Sequence, residues 1–259
     1  MTISWSYGGT ALSTFGVVTL MDDYMDIAER RGDNQVIPYR HGTTFVQKFY
    51  DERRITIGLA ILSTSATAQD TLFDTMRALF ALRTEQTLSC TREDSSVRNI
   101  QASVEKSLEV ERITADFARV VVEFNCSSPY FRSSVASTDN TTTISTTDTA
   151  MVVDNIGTVE ERDPTITLVG PLKNVIISST DSVTLTYTGT LASTDTVVIQ
   201  TATTGEYTAT LNGASNVIGN VTHSGSSALL VLFPGTNNLG VKTETTGGTV
   251  KVAFYPPFL

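Results

Sequence analysis

A two-residue period runs through most of this chain and leaves little room for anything but sheets. Ile55, Ile57, Leu59 and Ile61 alternate with Thr56, Gly58, Ala60 and Leu62. Successive side chains of a strand point to opposite faces, and the apolar character of both sets predicts a strand buried on both faces. Ala118, Val120, Val122, Phe124 and Cys126 alternate with Phe117, Arg119, Val121, Glu123 and Asn125, giving one apolar and one mixed face. A weaker alternation covers residues 103–110. Further β-rich runs fall at 183–187, 196–199, 206–211, 228–232 and 249–254. Thr203-Thr204-Gly205, Asn212-Gly213, Gly225-Ser226 and Thr246-Gly247-Gly248 separate them, and short strands punctuated this way predict an antiparallel sandwich.

One segment keeps a different period. Over residues 67–83, Leu72, Phe73, Met76, Leu79 and Phe80 form a single stripe at 3.6 residues per turn. Thr67 is the expected N-cap, Asp70 favours the positive end of the helix dipole, and Arg77 and Arg83 fall toward the other end. The stripe predicts a helix laid on a sheet, with Leu79 beneath it.

Charge divides the chain in two. Residues 1–132 carry 14 Lys/Arg against 17 Asp/Glu, and residues 133–259 carry 4 against 10, so the net charges of −3 and −6 sum to −9. Ser and Thr take over in the second half, at 40 of 127 residues. The change falls in residues 133–149, SSVASTDNTTTISTTDT, a polar linker or a solvated edge strand. The expected organisation is mainly β in two domains. Residues 1–135 form a β-sandwich with one packed helix, and residues 136–259 form a second, Thr-rich sandwich. Threonine suits such strands because it is β-branched and its hydroxyl tolerates a wet face.

Composition excludes several function classes. Apolar residues make up 40% of the chain, enough for packed cores, but no run of apolar residues is long enough to span a membrane. The start, Met1-Thr2-Ile3-Ser4-Trp5, lacks the basic and apolar regions of an export signal. An isoelectric point near 4.7 argues against general binding to phosphate backbones, which needs clustered cations. Neither a GxxxxGK[ST] nor a GxGxxG loop is present.

Parts for catalysis are scarce. Cys90 and Cys126 lack zinc-ligand spacing; spacing leaves a disulfide open, and two buried free thiols are the expectation. His41 and His223 have no nucleophile beside them. Asp22, Asp23, Asp26 and Glu29 are an acidic cluster without the spacing of a calcium loop, so a solvated loop is expected. Glu160, Glu161 and Asp163 resemble a paired-carboxylate site, yet adjacent carboxylates commonly just face water. Arg31-Gly32-Asp33 reads as a turn, and the sequons at Asn140 and Asn220 matter only in a secreted protein. Trp5, Tyr7, Tyr187, Tyr207 and Tyr255 are candidates for stacking on sugars, weighed against burial in the sandwiches. No catalytic, cofactor-binding or metal residue is expected, and no cofactor.

Four segments together resemble the distal tail protein (Dit) family of bacteriophages with long non-contractile tails. They are residues 30–62, RRGDNQVIPYRHGTTFVQKFYDERRITIGLAIL; the amphipathic helix; residues 120–131, ending in Ser128-Pro129-Tyr130-Phe131; and residues 233–259, which open on Phe233-Pro234-Gly235-Thr236-Asn237 and close on an aromatic-proline ending. Residues 1–29 depart most from the family pattern. The resemblance implies a ring-forming first domain and a galectin-like second one. It also implies a non-catalytic hub at the distal end of the phage tail: a hexameric ring of this chain joined to the tail tube protein, to the tail-tip or lysin-type protein and to the tape-measure protein. DNA would pass through the lumen, without sequence-specific nucleic acid binding or membrane insertion. The alternative is a carbohydrate-binding module that recognises host surface saccharides.

Overall fold

In a computed structural model the described residues are 3–22, 27–32, 35–36, 43–44, 49–106, 108–137, 141–145, 147–179, 183–202, 205–224 and 229–259, the side chains of 20–22, 35–36 and 43–44 excepted. Candidate residues Asp23, Asp26, Asp33, His41 and Asn140 lie outside them, as does the side chain of Asp22. The chain forms two compact units, Met1–Ser134 with Leu259, and Val135–Phe258.

In the first unit the strands used below are β1 (Ser4–Tyr7), β2 (Val17–Asp22), β3 (Arg53–Leu62), β4 (Gln86–Thr91), β5 (Val97–Val104), β6 (Glu109–Arg112) and β7 (Phe117–Cys126). They run in the order β1-β4-β5-β7-β3-β2, with β6 also on β7. The β3–β7 ladder is antiparallel and full length, from Phe117 opposite Leu62 to Cys126 opposite Arg53. That register sets Ile55, Ile57, Leu59 and Ile61 beside Ala118, Val120, Val122 and Phe124 on one fully buried face. The other face of β3 departs from the expected two-sided burial: Leu62 is 72% exposed and Ala60 only partly covered. A strand of alternating small residues reads as apolar in sequence without having a layer to cover it.

The one α-helix among the described residues, α1, spans Ala66–Phe80. Ser65, and not Thr67, caps it: the Ser65 hydroxyl accepts from the Ala68 N–H at 3.2 Å. The Ala81 N–H donates to the Arg77 carbonyl at the other end, so the helix stops short of residue 83. Its buried positions are Gln69, Phe73, Met76 and Phe80, spaced i, i+4, i+7 and i+11, whereas Leu72 and Leu79 are only half-buried. Tyr7, Phe80 and Phe124 set the centre of that face, with ring centroids 5.1–6.0 Å apart. Such tilted and edge contacts add to the hydrophobic gain of each ring.

The second unit is a sandwich of two antiparallel sheets. Its strands are β8 (Thr141–Thr143), β9 (Asp148–Asn155), β10 (Thr165–Val169), β11 (Leu172–Ser178), β12 (Thr184–Leu191), β13 (Thr196–Thr201), β14 (Tyr207–Leu211), β15 (Ser215–Asn216), β16 (Val221–Ser224), β17 (Gly235–Lys242) and β18 (Thr249–Ala253). One sheet runs β8-β18-β10-β13-β14-β15 and the other β9-β17-β11-β12-β16. Inward side chains such as Ile166, Leu168, Val197, Ile199, Val250 and Val252 meet Met151, Val153, Val175, Ile177, Leu185 and Val241 in one core.

Of the two readings of the Thr-rich stretch at 133–149, the edge strand holds for Thr141–Thr143, which form β8, while Ile144 just beyond is fully buried in the core. The run at 228–232 is no strand over its described residues. Leu229, Leu230 and Leu232 are buried in an irregular segment with a single bridge, Leu232 to Glu161, because hydrophobicity fixes burial without fixing a ladder. Beyond it the turn is shorter than the sequence implies: β17 already begins at Gly235, whose φ of +95° suits glycine.

Candidate assembly surfaces

The candidate chemical residues are placed by structural duties. Glu160 pairs with Arg162, its Oε1 at 2.5 Å from Nη2 and 2.8 Å from Nε. Glu161 is buried and its carboxylate accepts the Asp163 N–H at 3.0 Å, so the two glutamates do not converge on a shared space. Glu29 is exposed and its backbone carbonyl accepts from Asp51. No cluster of His, Cys, Asp and Glu able to hold a metal occurs among the described residues. Cys90 and Cys126 are buried free thiols, and burial pushes the Cys126 thiol up to about 12, with Arg53 pulling weakly the other way. A buried thiol held protonated is a poor nucleophile.

The aromatic candidates divide by burial. Trp5, Tyr7 and Tyr187 are 2%, 0% and 3% exposed, so they belong to cores. Tyr207 packs edge-on against His223 with centroids 5.4 Å apart, and Tyr255 is half exposed. Arg30 lies over Tyr50 at 5.1 Å and donates to its hydroxyl, and Arg30-Arg31 pairs antiparallel with Phe49–Tyr50. Asn220 ends an exposed 3-10 turn, Ile218–Asn220.

The Ser-Pro-Tyr-Phe closure has a physical reason. Arg53, 2% exposed, donates to the Pro129 carbonyl at 3.3 Å and lies 5.1 Å over the Phe131 ring. Phe131 meets Trp5 at 6.5 Å, and Tyr130 meets Tyr50 edge-on. Composition does not flag Arg53, but parity does: it stands on the same face of β3 as Ile55. Arg112 does similar work on the helix, paired with Asp70 and 5.6 Å over Phe73.

The remaining feature of the first unit is a surface. Outside β3 and β7 lies a hollow of about 710 Å3 lined by Gly58, Ala60, Phe117 and Val121 and also by Glu109, Glu111 and Arg119. Val17 and Leu62, 63% and 72% exposed, stand on the same face beside it. Exposed apolar side chains grouped with charges of both signs are a usual form of protein–protein contact.

No protein-family profile matches the chain, and no curated protein matches it by sequence. Solved structures do match. The crystal structure of the Dit protein of SPP1, a hub of the adsorption apparatus in phages that infect Gram-positive bacteria, superposes with a TM-score of 0.76 at 16% identity over 100% of both chains. A chain of the phage p2 baseplate in its activated conformation with Sr gives 0.48 at 8% identity over 98% of each chain. The SPP1 match covers both units, so this chain has the fold of the SPP1 Dit protein.

Proposed function

We infer that this chain is a distal tail protein, a structural and non-catalytic hub at the tail end of a phage virion. The full-length match to the SPP1 Dit fold carries this reading. In it, six copies close a ring through their first units, the ring joins the tail tube protein to the tail-tip and tape-measure proteins, and DNA passes through its lumen. Support comes from the hollow outside β3 and β7, whose lining mixes apolar side chains with charges of both signs, and from exposed Val17 and Leu62 beside it. A closed ring also removes the open strand edges that would otherwise add neighbours indefinitely. The overall charge of −9 suits a lumen that repels DNA.

Light scattering on the purified full chain tests the reading. The expected mass is six times 27.9 kDa, alone or with the tail tube protein present. A chain that stays at 27.9 kDa under both conditions, or a tail that forms normally without it, overturns the proposal.

A further inference from the structure

Asn212-Gly213 is the only asparagine–glycine step in the chain, and such a step carries its own reaction. The glycine nitrogen attacks the asparagine Cγ, and a five-membered succinimide closes. The side-chain amide takes up the proton of that nitrogen and leaves as ammonia. Water then opens the ring to aspartate or isoaspartate. Glycine favours the attack because no Cβ crowds the nitrogen, whereas every other asparagine here precedes a bulkier residue.

The turn built on this step is tight and exposed. The Ala214 N–H donates to the Leu211 carbonyl at 3.1 Å, and Asn212 and Gly213 have φ of +53° and +71°. Those are the values of the hairpin turn that Asn-Gly favours, and here it joins β14 to β15. Asn212 is exposed, so water for ring opening is at hand.

The Asn212 carboxamide is nevertheless held at both ends. Its Oδ1 accepts the Thr196 N–H at 2.8 Å, and its Nδ2 donates to Asp195 Oδ1 at 3.0 Å. The Asn212 N–H donates to the Thr196 carbonyl at 2.8 Å, so backbone and side chain are both tied to the start of β13. Asp195 is fixed in turn. Its Oδ2 accepts the Ala192 N–H at 2.9 Å, its own N–H donates to the Ala192 carbonyl, and its carbonyl accepts from Gly170. The bonds from Asn212 and then Ala192 hold the Asp195 carboxyl below its ordinary value, so it is ionised at neutral pH. This arrangement opposes ring closure twice. The attacking nitrogen has to come within about 3–3.5 Å of Cγ and in line with it, and a carboxamide clamped by two bonds must first turn out of them. The departing amide must gain a proton, and an ionised carboxylate has none to give.

We propose that Asn212 is the deamidation site of the chain and that the Asp195 carboxylate and the Thr196 amide keep it latent, the reaction starting only when this clamp opens. The product has no side-chain N–H for Asp195 and sets a second carboxylate against it, so the clamp does not re-form. The site lies in turns of the second unit and does not depend on the ring.

The test ages the full chain, the free peptide 209–216 and two full-length variants in one mildly alkaline buffer. Tandem mass spectrometry of digests reads the mass gained when nitrogen gives way to oxygen at residue 212, and melting curves show that each chain is folded. Asp195 is only half-buried, so neither variant opens the core. The wild type is expected to deamidate at least roughly tenfold more slowly than the peptide, and Asp195→Ala to recover roughly tenfold, the weight of one hydrogen bond to a charged group. Asp195→Asn keeps the shape but loses one of the two accepting oxygens, and falls between. A full chain that reacts as fast as the peptide, or that modifies another asparagine first, overturns the proposal. So do folded Asp195 variants that keep the wild-type rate.

Discussion

Gln69 is fully buried on the inner face of α1, and neither of its amide atoms has a hydrogen-bond partner among the described residues. A buried polar group without a partner keeps its full desolvation penalty, whereas an apolar group of similar shape does not. Gln69→Leu is therefore expected to stabilise the first unit by about 1 kcal/mol, a rise of about 3 °C in Tm by calorimetry. An unchanged or lower Tm means the amide has a partner in solution. Cys126 gives a second test at this scale. Its folded pKa is raised by burial from 9.0 to about 12, so the folded state keeps a proton that the unfolded state releases. Stability from this group is complete below pH 9 and is lost as pH climbs toward 12, at up to about 1.4 kcal/mol per pH unit. Cys126→Ala should flatten the alkaline fall in Tm over that window; identical slopes would refute it. Glu244 behaves in the opposite sense. Hydrogen bonds from Lys173 and Asn174 hold its carboxyl below the ordinary value, so its contribution is present at neutral pH and fades in acid.

The helix α1 shows how an element is tuned by what it packs against. The apolar stripe from Leu72 to Phe80 is wide enough to roll either way on a sheet, and the Tyr7 and Phe124 rings select the line through Phe73, Met76 and Phe80. Met76→Ala is expected to lose about 3 kcal/mol through lost transfer energy and a cavity. Leu79, half-buried, tolerates Asp with a smaller loss than Met76→Asp, because its charge can reach water. Urea melts rank the three variants, and a Leu79→Asp loss equal to that of Met76→Asp would place the helix axis elsewhere. The sequence made the helix visible through its period, but not its cap, since Ser65 and Thr67 both carry a hydroxyl oxygen able to accept at an N-cap. Ser65 wins because its extended backbone, φ −165° and ψ 163°, aims the hydroxyl at the Ala68 N–H.

For the molecule as a whole, the assembly reading makes a claim that stability measurements can separate from folding. Leu62→Glu alters a side chain that is 72% exposed beside the hollow of the first unit. Its unfolding free energy should match the wild type within about 0.5 kcal/mol, as for other surface changes, while the ring mass collapses toward single chains. A variant with an unchanged ring moves the subunit contact off this face. Residues 1–134, expressed alone, should likewise self-associate, and a strictly monomeric fragment would shift assembly to the second unit.

Much of this architecture was legible in residue order. The alternations at 55–61 and 118–126 became the central ladder of the first unit, and the 3.6-residue stripe became its helix. Strands β9 and β11 were harder to see, because exposed Val152 and Ile176 stand between buried apolar neighbours and blur the alternation, and β10 is only five residues long. Local periodicity depends only on neighbours along the chain, so sequence determined the two central strands of the first unit, where the helix lies and how charge divides. Contacts across the chain decided the rest: Arg53 over Phe131, the uncovered face holding Leu62, and the place of β9 at one end of its sheet. Burial and edge position are properties of the partner strand as much as of the residue, and no run of adjacent letters contains the partner.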